Sequence, residues 1–294
     1  MPALGFNPIN AVMRNINFDS SDFDAGIPDI RGVFYGDDEG TAPDTTGGTD
    51  SVGEDRVVSV DHSRTGIFYP LFGLPGQTWD DMIKYRKAHP SLPWIAVINP
   101  LNGPGGPNYV FATYVKEMQD ADIEVLGYVS TYWSAVRLET VKDDIDKYKE
   151  YFDVDGIFLD EMSNRAEDAE RYREITTYAK SVGMKYVIGN TGTDAAPDYI
   201  GVVDNIVISE GYGEPTLSRL AGWHVPYGRE NFSYIAYNRN TVDPQYVATS
   251  TYFASYVYIT DDYLPNPYDK LPSHFDALLA CWNPKRRVTC VMSL

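Results

Sequence analysis

Gly156-Ile157-Phe158-Leu159-Asp160-Glu161 is a short apolar run that ends in two adjacent carboxylates. Such a run, with Ile and Phe and polar residues on both sides, reads as a buried strand. Asp and Glu are almost never fully buried without a partner. Acids at the C-terminal tip of a core strand are therefore either hydrogen-bonded structural groups or chemistry. In a parallel α/β barrel that tip is where active sites sit. A second tip of the same kind is Asn205-Ile-Val-Ile-Ser-Glu210. Two tips carrying acids point to a paired-carboxylate site.

Working outward, strand and helix signals alternate from about residue 65, as parallel α/β architectures require. Strands are expected at Gly66–Phe72, Trp94–Asn99, Val125–Ser130, Gly156–Asp160, Tyr186–Asn190, Asn205–Glu210, Phe232–Tyr237 and Val257–Thr260. The helix expected at Arg137–Phe152 carries Val141, Ile145, Tyr148 and Phe152 on one face. The next, Ala166–Ser181, turns Tyr172, Ile175 and Ala179 inward, and a last one is expected at Leu271–Trp282. The fold class this predicts is α/β: a single (β/α)8 TIM-type barrel with an acidic, low-complexity N-terminal extension. A doubly wound open sheet is the alternative. It normally has a glycine-rich phosphate turn after its first strand, whereas here Gly73-Leu-Pro-Gly76 follows and no such motif occurs.

The chain has 294 residues, 43% of them hydrophobic, and a net charge of −18. Its acidity argues against nucleic acid, which needs clustered Lys and Arg, and suits a neutral or cationic ligand. The absence of an 18-residue apolar run argues against membrane insertion. Met1–Asn15 shows no secretory signal pattern; an extracellular, cell-surface or virion location is nevertheless the expectation, reached as a mature form or by a non-classical route. Cys281 and Cys290 can pair or stay reduced. Residues 1–60 hold eleven acids against three arginines. Within them Asp37–Asp50 is a Gly/Thr/Asp-rich linker, preceded by the apolar Phe6, Ile9, Val12, Met13 and Ile16. Residues 1–60 read as an extension and linker, either a floppy tail or an attachment or assembly arm able to support a homo-oligomer or larger assembly, and 61–294 as the barrel.

The expected strand tips are Tyr69, Asn99, Tyr128, Asp160 with Glu161, Asn190, Glu210, Tyr237 with Asn238, and Asp261 with Asp262. Amides and acids hydrogen-bond hydroxyls, while Tyr and Trp offer apolar faces, so such a mouth looks like a sugar site. Trp133 follows the third strand. The candidate catalytic set is Asp160, Glu210 and Glu161; the candidate substrate-binding set is Tyr69, Asn99, Tyr128, Trp133, Asn190, Tyr237 and Asp262. Glycoside hydrolysis needs one carboxylic acid to protonate the leaving oxygen and one carboxylate as nucleophile or base. We assign Glu210 as general acid/base, Asp160 as nucleophile and Glu161 as a tuning or positioning group. Alternate strand residues face opposite sides, so only one of Asp160 and Glu161 lines the axis unless the chain turns there. The structural alternative for these acids is helix capping. His62, His89, His224 and His274 show no metal-ligand spacing, and neither a metal nor an organic cofactor is expected. Asn102-Gly-Pro-Gly-Gly-Pro107 is a poor phosphate loop, since its prolines remove donors; it reads as a rigid binding loop.

Five stretches together resemble the spherulin-4-like (spherulation-specific) family over about residues 65–283. They are Ile98–Gly105, Val125–Tyr132, Val154–Glu161, Tyr258–Asp262 and Asn266-Pro-Tyr-Asp-Lys-Leu-Pro272. The resemblance implies a (β/α)8 barrel related to endo-acting glycoside hydrolases of α-1,4-linked galactosamine and N-acetylgalactosamine polysaccharides. It carries the family's Asp-Glu pair onto Asp160 and Glu161 and its later acid onto Glu210; residues 1–60 lie outside it. The expected function is binding and hydrolysis of an amino-sugar polysaccharide. The alternative is a non-catalytic structural or adhesive protein, of a virion or cell-surface layer, using the barrel as a glycan-binding or architectural module.

Deleting residues 1–56 should leave a soluble, folded barrel and lower the assembly state. Size-exclusion chromatography with light scattering on both forms checks this; equal mass per particle would contradict an assembly arm.

Overall fold

The structure, a computed structural model, describes residues 65–282. Eight strands run β1 Gly66–Leu71, β2 Trp94–Ile98, β3 Glu124–Ser130, β4 Gly156–Asp160, β5 Tyr186–Asn190, β6 Asn205–Tyr212, β7 Phe232–Tyr237 and β8 Tyr256–Ile259. They pair in parallel, each with the next, and β1 pairs β8, so the sheet closes into a barrel. A closed sheet leaves no unpaired edge. The helices are α1 Gln77–Ala88, α2 Tyr109–Asp120, α3 Leu138–Phe152, α4 Ala169–Ser181, α5 Leu217–Leu220, α6 Pro244–Ser250 and α7 Phe275–Ala280. No helix of the described residues is long and apolar enough to cross a membrane. The arm, and Cys290 with its pairing, lie outside the described residues.

The expected strands match within two residues at each end. Inward faces of α3 and α4 are also as read: Val141, Ile145, Tyr148 and Phe152, then Tyr172, Ile175 and Ala179, are buried. α4 is preceded by a 3-10 turn, Ala166–Asp168. The last helix is shorter than expected. Leu271 and Pro272 belong to the preceding loop, since proline lacks the N–H a helix interior uses.

Two glycines set how closely the layers pack. A Cβ on Gly127 of β3 would lie 2.4 Å from the Tyr148 ring. Its absence lets α3 lay that ring on the strand, where the hydroxyl donates to the Ile98 carbonyl at 3.3 Å. A Cβ on Gly156, which opens β4, would lie 2.1 Å from the Tyr186 carbonyl oxygen. Inside the barrel, Phe158 of β4 packs on Phe68 of β1 and on Tyr128 of β3, with ring centroids 5.5 and 6.3 Å away.

β6 departs from regular register. Val207 pairs Ser233 and Ser209 pairs Tyr234, so β6 contributes one extra residue. Such a bulge re-aims the side chains that follow it, and the next residue is Glu210.

Candidate active site

The C-terminal mouth of the barrel opens into a cavity of about 890 Å³. Its lining includes Asn99, Tyr128, Trp133, Asp160, Glu161, Asn190, Glu210 and Tyr237. The tips of β2 to β7 thus converge, as the sequence led us to expect.

Asp160 and Glu161 both line the cavity, which strand alternation alone forbids. The chain turns here: Glu161 has φ 50°, in the left-handed region. Its carboxylate accepts from the Ser130 hydroxyl at 2.5 Å, and Thr131 Oγ1 donates to its carbonyl at 2.8 Å. Neither acid caps α4, whose start is organised instead by Ser163 donating to Asp168 at 2.6 Å.

One side chain joins the acids from the two predicted tips. Asn190 Nδ2 donates to Asp160 Oδ1 at 2.8 Å and to Glu210 Oε2 at 2.6 Å. The Gly192 N–H donates to Asn190 Oδ1 at 2.9 Å. That bond fixes which end of the amide faces the acids. The two carboxylate oxygens therefore lie no farther apart than two hydrogen bonds laid end to end. Each acid also receives a phenol. Tyr268 donates to Glu210 Oε1, and Tyr128 hydrogen-bonds Asp160. Phe72 meets both tyrosine rings edge to face, at centroid distances of 5.5 Å in each case.

Burial, then the neighbouring charge of Glu210, push the Asp160 carboxyl up to about 7; the Tyr128 hydrogen bond opposes this and Glu161 adds to it. Both causes disfavour the charged form. Burial and nearby carboxylates likewise hold the Tyr128 and Tyr268 phenols well above their ordinary range, so both remain hydrogen-bond donors.

Two predicted binding residues lie elsewhere. Tyr69 is fully buried, packed edge-on against Tyr258 at 4.8 Å, and belongs to the core rather than the mouth. Asp262 pairs with Lys270 at 3.0 Å and accepts from the Tyr263 N–H at 2.9 Å; it anchors the loop after β8 and does not line the cavity. The 102–107 loop also stays off the cavity. Instead Asn99 shapes it, accepting from the Gly103 N–H at 2.9 Å. Asn190 lines the site, but its amide is occupied by the two acids and Gly192 rather than left for a sugar. Phe72, Tyr212, Arg219 and Tyr268 line the cavity and were not anticipated. Tyr268 lies inside the quoted 266–272 stretch, yet it is not at a strand tip. For Tyr212 the flanking Gly211 and Gly213 were the available signal.

A (β/α)8 barrel with carboxylates clustered at its C-terminal mouth is the class of protein that fold and site define. Within that class the chain belongs to spherulation-specific family 4, whose model matches residues 66–281. Spherulin-4 of Physarum polycephalum is 34% identical over 161 residues, which is 53% of this chain and 48% of that protein. The crystal structure of Aspergillus clavatus Sph3 in complex with GalNAc superposes with a TM-score of 0.67 at 22% identity. It covers 74% of this chain and 97% of that one.

A carboxyl raised in the folded state stabilises the fold at low pH and loses that contribution as pH rises through its folded value. For Asp160 the window runs from its ordinary 3.8 to about 7. Asp160→Asn should therefore match the parent near pH 4 and exceed its melting temperature at pH 8, by roughly 4 °C or more. Thermal melts across pH check this; a variant no more stable than the parent at pH 8 would contradict the charge repulsion.

Proposed function

We propose that the chain binds an amino-sugar polysaccharide, built of galactosamine or N-acetylgalactosamine, in this cavity and cleaves it internally as a glycoside hydrolase. The observation that carries the reading is the Asn190 amide held between Asp160 and Glu210. Two oxygens on one nitrogen fit the carboxyl separation of about 5–5.5 Å typical of retaining enzymes, and are closer than the roughly 6.5–9.5 Å of inverting ones. The sugar class is supported by the GalNAc bound in the Sph3 crystal structure, a barrel of the same fold.

In this reading Asp160 attacks the anomeric carbon as the glycosidic C–O bond breaks, and Glu210 gives its proton to the leaving oxygen. Glu210 then takes a proton from water, whose oxygen displaces Asp160. Glu161, tied to Ser130, adds negative charge beside the developing positive centre. Asn190, Tyr128 and Tyr268 position the pair. The raised Asp160 carboxyl favours the exchanged roles, with Asp160 as the acid and Glu210 as the nucleophile. A nucleophilic Asp160 must first lose its own proton. The two readings give opposite signs. With Asp160 as nucleophile, kcat/KM climbs with pH through about 7, because Asp160 must ionise; with Asp160 as the acid it falls there.

Incubation with galactosamine and N-acetylgalactosamine polymers, read by release of reducing ends, tests the function. Asp160→Asn and Glu210→Gln should each cut turnover by roughly 10²-fold or more while retaining fold and polymer binding. Turnover unchanged in either variant would exclude the pair. No cleavage by the parent, with binding retained, would assign the barrel to a non-catalytic glycan-binding role.

A further inference from the structure

Four aromatic side chains at the mouth have no task in the chemistry above. Tyr132 and Trp133 leave β3 side by side, with ring centroids 5.1 Å apart. They are 51% and 40% exposed. Tyr212 and Tyr237 are direct partners across β6 and β7, with centroids 5.0 Å apart. Tyr212 is 58% exposed. Trp133, Tyr212 and Tyr237 all line the cavity.

The first pair is displayed at a cost. Tyr132, Trp133 and Ser134 have φ 43°, 50° and 73°, three consecutive non-glycine residues in the left-handed region. Each such residue is strained, and strain of this kind persists only where the surroundings over-determine it. Here the Trp133 N–H donates to the Glu161 carbonyl at 2.7 Å and the Thr131 N–H to the Asp160 carbonyl at 2.9 Å. The loop is thus pinned to the backbone of the two acids. Packing does not explain it, because the strain leaves two large rings facing water.

Around the barrel the order is Tyr132–Trp133 after β3, Asp160 and Glu161 on β4, Asn190 on β5, Glu210 on β6, then Tyr212–Tyr237 on β6 and β7. The acids lie between the two aromatic pairs. A pyranose ring offers C–H groups on its faces and hydroxyls at its edge, so an exposed aromatic ring is a natural seat for it. We infer that a polysaccharide chain crosses the mouth with sugar rings stacked on Tyr132–Trp133 on one side of the acids and on Tyr212–Tyr237 on the other. This deepens the proposed function and rests on it for the class of ligand. The site then selects polymers long enough to reach both platforms, and cuts within them.

The test is binding of an α-1,4-linked galactosamine/N-acetylgalactosamine polymer to the full-length Asp160→Asn protein by calorimetry, so that no turnover intervenes. Adding Trp133→Leu or Tyr212→Leu should each weaken polymer affinity roughly tenfold. Trp133→Phe and Tyr212→Phe should restore most of it, which a merely structural role would not predict; thermal melts confirm folding. Polymer affinity within about twofold of the Asp160→Asn protein in both leucine variants would overturn the inference. Ring-dependent binding by a parent that does not cleave the polymer would uphold this inference while the hydrolase reading fell. Cleavage by the parent with ring-independent binding would do the reverse.

Discussion

The site depends on one amide. Asn190 at the end of β5 places a single NH2 group between carboxylates from β4 and β6, and a backbone N–H two residues on keeps it facing them. Two half-buried carboxyls drawn together repel, and the reduced polarity around them magnifies that repulsion. Without a donor between them the pair would separate. With it they stay together at the expense of fold stability, as active sites commonly do.

The rest of the mouth serves this arrangement. The β6 bulge re-aims Glu210 toward the cavity. The left-handed turn at Glu161 brings a second acid to the same side as Asp160. Tyr128 and Tyr268 each give one phenol to one acid, and Phe72 wedges both rings. Strands, glycines and aromatic layers below form a rigid frame that fixes these tips. Site residues mounted on strand ends, with their rotamers held by neighbours, can keep the sub-ångström placement that chemistry demands.

Much of this was legible in residue order. The apolar runs ending in acids located β4 and β6, and the alternation with helices announced the barrel, because a buried parallel strand reads as a continuous apolar run. What could not be read was conformation at single residues. Strand alternation left Glu161 open, facing the axis only if the chain turned there, and nothing in Leu-Asp-Glu announces the left-handed φ that turns it. Tyr69 has the position of a tip residue, yet it lies two residues inside β1, whose end is Leu71; two residues of depth separate core from mouth. Asp262 has the right type and place, but Lys270, eight positions on, claims it. Asn190 was expected at the mouth as a sugar ligand; its place between the two acids was not read. Contacts across the barrel, such as Tyr268 to Glu210, leave no local pattern for any reading of spacing to catch.

The central claim is that Asp160 and Glu210 are one coupled unit. Carbon-13 NMR of labelled carboxyl groups, titrated in the parent and in Glu210→Gln, tests it most directly. The account predicts a parent carboxyl titrating near 7 that moves down once the Glu210 charge is removed. An Asp160 carboxyl titrating in the ordinary range of about 4, unchanged by the substitution, would contradict it.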